Sequence, residues 1–173
     1  KNAGKKVKVG HTGTLDPFAT GLMIIVVGSE CKNASQYSKL DKVYEATICL
    51  GKTSSTGDPE GEITEMSKKI PRQDEIKNVF KKLTGKISQI PPNYSAIKVD
   101  GQRAYKMARA GAKFEIPARK VTIFSLELIN YNYPFLQIRT HVSSGTYIRT
   151  LSEDIGEMLE TGTYCTQLRR ISI

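Results

Sequence analysis

With 173 residues and 39% hydrophobic content, the chain can bury one full core but is short for two, so one soluble domain spanning residues 1–173 is expected. Its 26 Lys and Arg against 17 Asp and Glu give a formal charge of +9, which suits a polyanionic partner such as nucleic acid as readily as a merely solvated basic surface. Cys31, Cys49 and Cys165 are odd in number and far apart, which speaks against a disulfide framework or a zinc site. The longest apolar run, residues 22–27, is far below the roughly 20 residues a membrane helix needs, so a membrane role drops out and a reducing, cytoplasmic setting fits.

Behind a basic opening, residues 10–17 are expected as a polar, glycine-rich loop. They run into an apolar segment, residues 21–27, whose β-branched content reads as a buried strand. Residues 42–50 alternate, with Tyr44, Ala46, Ile48 and Leu50 on one face, the pattern of a strand. Residues 51–61, rich in Thr, Ser, Gly and Asp, have the composition of a surface loop. Within 74–83, Ile76, Val79, Phe80 and Leu83 fall at helical spacing, with Pro71 ahead, acids in the first turn and Gly85 behind, so a helix is predicted. The basic and aromatic stretch 89–111 reads as a loop or short helix. Residues 120–129 and 136–142 read as strands of a hairpin joined through 130–134. Ile148, Leu151, Ile155, Met158 and Leu159 then mark a helical face ending near Gly162, with Arg149 on a different side. Residues 167–173 close the chain as a candidate edge strand. Without repeats or low-complexity linkers, these elements make one mixed α and β domain.

Chemistry is most concentrated in GHTGTLDPFATG, residues 10–21, where a histidine, a carboxylate and three glycines could hold one acid against a substrate. Asp16 before Pro17 is equally compatible with a turn former, a helix cap or half of a buried ion pair, the commoner fates of an Asp-Pro. Taken alone, Arg149 reads as a surface helix residue in a weak exposed ion pair. A lone strand tyrosine such as Tyr44 reads as packing, and a histidine in a glycine loop such as His11 as a structural hydrogen-bonder. Three other patterns are weak. Gly51-Lys52-Thr53 has the end of a phosphate loop, but Ala46 stands where its upstream glycine belongs. His11 and His141 lack an ordered ligand set, so no metal is expected. Ser143 or Ser144 near His141 is poor support for a hydrolase triad.

The stretch resembles the signature of TruB-type pseudouridine synthases, Gly-His-x-Gly-x-Leu-Asp-Pro-x-Ala-x-Gly, matching at Gly10, His11, Gly13, Leu15, Asp16, Pro17, Ala19 and Gly21. Further segments follow in the family's order: DKVYEATICLG (41–51), TGDPEG (56–61), PPNYSAIKVDGQRAY (91–105), SSGTYIRTLSEDIG (143–156) and LRR (168–170). The resemblance implies an α+β pseudouridine synthase fold, a mixed and mainly antiparallel sheet flanked by helices and loops around an RNA-binding cleft. It implies that uridine is detached from its ribose, rotated and rejoined through carbon, with no metal or organic cofactor.

By the same resemblance Asp16 is the catalytic carboxylate and Arg149 its partner, a fixed guanidinium suiting an ionised acid. Tyr44 stacks on the base and takes part in proton movement, Tyr147 and Leu168 line the base pocket, and His11 contacts the flipped-out nucleotide. The basic tract with Lys98, Arg103, Lys106 and Arg109 supplies phosphate contacts, which fix register without reading sequence. The implied substrate is uridine 55 in the T-arm of tRNA, acted on by a monomer with no obligatory protein partner. The TGDPEG and PPNYSAIKVDGQRAY segments look bacterial, which favours this over a guide-RNA-dependent relative; a non-catalytic RNA-binding or tRNA-folding module is the other alternative. Family members usually begin with an apolar strand and a Lys-Pro-x-Gly-x-Thr/Ser segment ahead of the position of Lys1, and many end in a PUA domain. The chain is therefore expected to be a fragment that lacks that first strand and carries no PUA domain.

Overall fold

The computed structural model describes residues 6–173; the first residues of the basic opening, 1–5, lie outside them. Three short strands come first, β1 (Val9–Thr12), β2 (Thr20–Gly21) and β3 (Ile24–Val27), then a 3-10 turn at Gly28–Asn33 and the single-turn helix α1 (Ala34–Ser38). After β4 (Lys42–Leu50) come the ribbon strands β5 (Lys52–Ser54) and β6 (Ile63–Glu65), helix α2 (Gln73–Leu83) and β7 (Gly85–Gln89). A small hairpin, β8 (Lys98–Val99) and β9 (Gln102–Arg103), leads into α3 (Ala104–Arg109). The long strands β10 (Arg119–Asn132) and β11 (Phe135–Val142), helix α4 (Ile148–Met158) and β12 (Thr163–Ser172) complete the chain.

One six-stranded sheet, in the order β2-β12-β4-β11-β10-β7, organises the molecule. Its pairs are antiparallel except the short parallel contact of β2 with β12. The period-2 alternation of β4 sends Tyr44, Ala46, Ile48 and Leu50 to one face. There they meet Leu136, Ile138 and Ile123 of the neighbouring strands and the apolar stripes of α2 (Ile76, Val79, Phe80, Leu83) and α4 (Ile148, Leu151, Ile155). Burying each such side chain is worth roughly 1.5–3 kcal/mol, so the two helices are held on this face by their stripes. On the opposite face Glu45 and Arg139, cross-strand partners, form an ion pair. At the start of α2 the Glu75 carboxylate accepts a hydrogen bond from the Arg72 backbone N–H, which begins the helix where the acids of its first turn predict.

Several boundaries depart from the sequence expectation. The first three residues of the expected 10–17 loop instead belong to β1, which pairs with β3. The apolar run 21–27 is not a buried strand: it splits into β2 and β3, and of its residues only Val26 is buried, with Ile25 55% exposed. A two-stranded ribbon has no second layer on one side, so its β-branched residues mark extended backbone and not burial. Residues 51–61 are more than a surface loop, because Gly57 and Asp58 are buried beneath it. The last strand begins at Thr163 and lies between β4 and β2, so it is no edge. On α4, Met158 is 40% exposed whereas Arg149 is 2% exposed, so the covered arc is shifted toward the arginine. The two central helices, the strand 42–50 and the hairpin stand where they are expected. Among the described residues no helix is long and apolar enough to cross a membrane.

Candidate active site

The loop between β1 and β2 turns sharply at Asp16-Pro17. The Asp16 carbonyl accepts from the Ala19 N–H at 2.9 Å, closing a β-turn with proline at its second position, where the fixed φ of proline fits. That turn aims the Asp16 carboxylate at the first turn of α4. Arg149 meets it as a two-pronged fork, Nε donating to Oδ2 and Nη2 to Oδ1, each at 2.9 Å. The guanidinium has five N–H donors. Of the others, Nη1 donates to the Thr56 carbonyl and Nη2 to the Tyr94 carbonyl, both at 2.8 Å, and Asp58 Oδ2 stands 3.2 Å from Nη1. A buried arginine so completely occupied cannot turn away from Asp16, whose own side chain stays 28% exposed.

Asp58 is held in turn. Its Oδ1 accepts from Thr56 Oγ1 at 2.6 Å and from the Glu60 N–H at 3.0 Å. Gly57, just before it, has φ +74, and a Cβ there would lie 2.6 Å from a Glu153 carboxylate oxygen, so this turn needs glycine. At the head of α4, Gln89 from the end of β7 clamps the Tyr147 backbone. Its side-chain oxygen accepts from the Tyr147 N–H at 2.8 Å and its amide donates to the Tyr147 carbonyl at 3.1 Å.

These elements enclose a cavity of about 530 Å³. Asp16 and Arg149 line one part of it; Tyr44 of β4, Leu168 and Arg170 of β12, Tyr147, and Tyr94, Tyr105 and Arg109 of the 89–111 segment line the rest. Burial pushes the phenols of Tyr44 and Tyr147 up from their ordinary value. The Cys165 thiol is pushed up to about 12 by burial, with the charge of Asp16 adding to the effect, so it is an inert core group and not a nucleophile. Among the described residues no group of three or more His, Cys, Asp or Glu side chains is placed to hold a metal ion.

Six of the residues singled out from the sequence thus come together: Asp16, Tyr44, Arg109, Tyr147, Arg149 and Leu168. His11 does not join them; it is exposed on β1 and outside the cavity lining. Lys98, Arg103 and Lys106 are exposed on β8, β9 and α3, also outside the lining. Asp58, Gln89 and Arg170 had no assigned role in the sequence reading. Asp58 sits in the quoted TGDPEG segment and Arg170 in the quoted LRR segment, but nothing in their spacing shows that each is buried. Gln89 gives no sequence signal beyond its place ahead of two prolines.

Comparison with known proteins adds to this geometry. Residues 1–148 match the model of the TruB family pseudouridylate synthases, N-terminal domain. The tRNA pseudouridine synthase B of Aromatoleum aromaticum is 46% identical over 166 residues, covering 96% of this chain and 54% of that protein. The protein of the same name from Phocaeicola vulgatus is 44% identical over 171 residues, covering 98% of this chain and 72% of that protein. Among solved structures, a chain of a Cbf5-Nop10-Gar1 complex superposes with a TM-score of 0.70 at 26% identity, over 94% of this chain and 39% of that one. The chain therefore spans little more than half of the Aromatoleum relative. With the family model matched over most of its length and relatives of this identity, the chain belongs to the TruB family of pseudouridylate synthases.

Proposed function

We propose that the protein converts uridine 55 in the T-arm of tRNA to pseudouridine, with Asp16 as its catalytic carboxylate. The observation that carries this reading is the fork between Asp16 and the buried Arg149 at the wall of a cavity with Tyr44 and Leu168 in its lining. In the reaction the bond from N1 to C1′ breaks and one from C5 to C1′ forms; the C5 proton leaves to solvent and N1 gains a proton. A carboxylate serves either as a nucleophile toward the sugar or as a base as the glycosidic bond opens. Either role needs an oxygen lone pair facing the substrate. Each Asp16 oxygen accepts one bond from Arg149 and keeps a second acceptor site.

The uracil must leave its stack to reach this carboxylate, which costs a few kcal/mol, and stacking against Tyr44 offsets part of that. Lys98, Arg103, Lys106 and Arg109 supply phosphate contacts in this scheme, and His11 a contact to the extruded nucleotide. The protein acts as a monomer in the cytoplasm, without a guide RNA, a partner protein, a metal or an organic cofactor. The test is tritium release from tRNA carrying C5-labelled uridine: the protein releases one tritium per tRNA, and Asp16→Ala releases none while still binding tRNA. Equal rates for the two would sink the proposal. Salt-sensitive tRNA binding with no release by the wild type would leave a non-catalytic RNA-binding module instead.

A further inference from the structure

Arg170 is, after Arg149, the other fully buried arginine, 1% exposed, and the scheme above gives it no part. It stands on β12 directly opposite Tyr44 on β4, a cross-strand pairing that brings two side chains onto one face within roughly 5 Å at Cβ. Both line the cavity. Its fork is spent on backbone: Nε donates to the Leu22 carbonyl at 2.6 Å and Nη1 to the Gly13 carbonyl at 3.0 Å. Those two carbonyls lie on either side of Asp16 in the chain. The Leu22 N–H donates back to the Arg170 carbonyl at 2.9 Å, and a Cβ on Gly21 would come within 2.1 Å of that oxygen. The loop that carries Asp16 is therefore drawn shut on this one residue. Gly13 is fitted against the same group, since a Cβ there would lie 3.3 Å from Nη1 and 3.2 Å from the Lys42 side chain.

One corner of the guanidinium is left over. Nη2 is sealed from solvent and has no hydrogen-bond partner. A buried charged donor left unmade is costly, so its placement calls for an acceptor. Tyr44, its cross-strand partner in the same cavity wall, carries the neighbouring acceptor: burial pushes its phenol up, and the Arg170 guanidinium opposes the push.

We propose that Arg170 is a positioning residue that ties the Asp16 loop to the Tyr44 strand and holds its remaining N–H toward the Tyr44 oxygen, so that the phenolic proton points into the cavity. This rests on the reading of Asp16 and Tyr44 as groups that act on uridine. A donor placed on one side of the phenolic oxygen occupies a lone pair there, and the hydroxyl hydrogen is left to face the base. Lysine keeps the charge but has no planar fork, so it cannot span Gly13, Leu22 and Tyr44 at once.

The experiment pairs two measurements. Single-turnover tritium release is followed for Arg170→Lys, Tyr44→Phe and the double variant, and the guanidinium ¹⁵N resonances of Arg170 are compared between wild type and Tyr44→Phe. Arg170→Lys is expected to slow the single turnover by about 10- to 100-fold with tRNA affinity unchanged, the scale of a small misplacement of reacting groups. The same change is expected to cost markedly less when residue 44 is Phe, and loss of the hydroxyl is expected to move the Nη2 resonance. An unmoved resonance, or an equal cost of Arg170→Lys in both backgrounds, overturns the proposal. If Arg170→Lys does not fold, or Tyr44→Phe is too slow to time, the resonance decides alone. A wild type that releases no tritium defeats the proposed function, and the resonance still reports on Arg170.

Discussion

Arg149 joins two carboxylates and two backbone carbonyls, so its truncation leaves each of them short of a donor, Asp58 in a buried place. Breaking one side of a buried ion pair costs about 3–5 kcal/mol. Arg149→Ala is accordingly expected to lower unfolding stability by that amount, read as a fall in the urea midpoint, and to abolish tritium release. The family resemblance pairs Arg149 with Asp16, but taken alone the residue reads as a surface arginine, because periodicity places it off the face that meets the sheet. The helical pattern reports only that face. Arg149 is covered from another direction by Thr56, Asp58 and Tyr94, and no local spacing records where a distant loop will land. Asp16 shows the reverse case. The turn and the ion pair stood as rival readings of one Asp-Pro, and both hold: the carbonyl closes the turn while the carboxylate meets Arg149. His11 matched the family signature, yet its side of β1 is exposed and lies outside the cavity lining.

The element that carries Arg149 is set closely on its neighbour. A Cβ at Gly156 of α4 would stand 2.8 Å from the Thr163 backbone nitrogen and 2.7 Å from its side chain, and backbone does not yield cheaply. Gly156→Ala is expected to cost about 1–3 kcal/mol by thermal melt and to reduce single-turnover rate beyond what the lost stability explains, since α4 must lift from β12. The same helix holds a carboxyl out of its ordinary range: burial pushes Asp154 up to about 6, Glu157 adding to the push and Gln89 opposing it. With a folded value above the unfolded one, the folded chain binds this proton more tightly. Its contribution to stability is full below pH 3.8 and is lost as pH rises through about 6. Asp154→Asn is expected to melt like wild type near pH 4 and to gain about 1–2 kcal/mol over it by pH 7, the shift being discounted for partial exposure. The sequence predicted this helix, α2, β4 and the hairpin because each carries an apolar period long enough to be unambiguous. β1 escaped because a four-residue strand is made by its partner, β3, and not by its own composition.

For the whole molecule, the charge of +9 predicts that tRNA binding weakens steeply with salt. Lys98, Arg103 and Lys106 are exposed in one continuous stretch. Replacing any one with alanine is expected to weaken binding about equally for every tRNA and to reduce the slope of log K against log salt by roughly 1, measured by filter binding across a salt series. The sign of the charge was legible from composition, but its division into a basic outer stretch and two buried, cavity-lining arginines was not, because burial depends on which loops close over a residue. The Arg149 node has one further consequence. Its partners are 133, 93 and 55 residues away along the chain. Contacts so distant in sequence form late, since chain entropy must be given up before they repay it. If the proposed function holds, a chain caught before those contacts form is expected to bind tRNA in a pulse-refolding assay while releasing no tritium, because its Asp16 carboxylate is not yet fixed by Arg149.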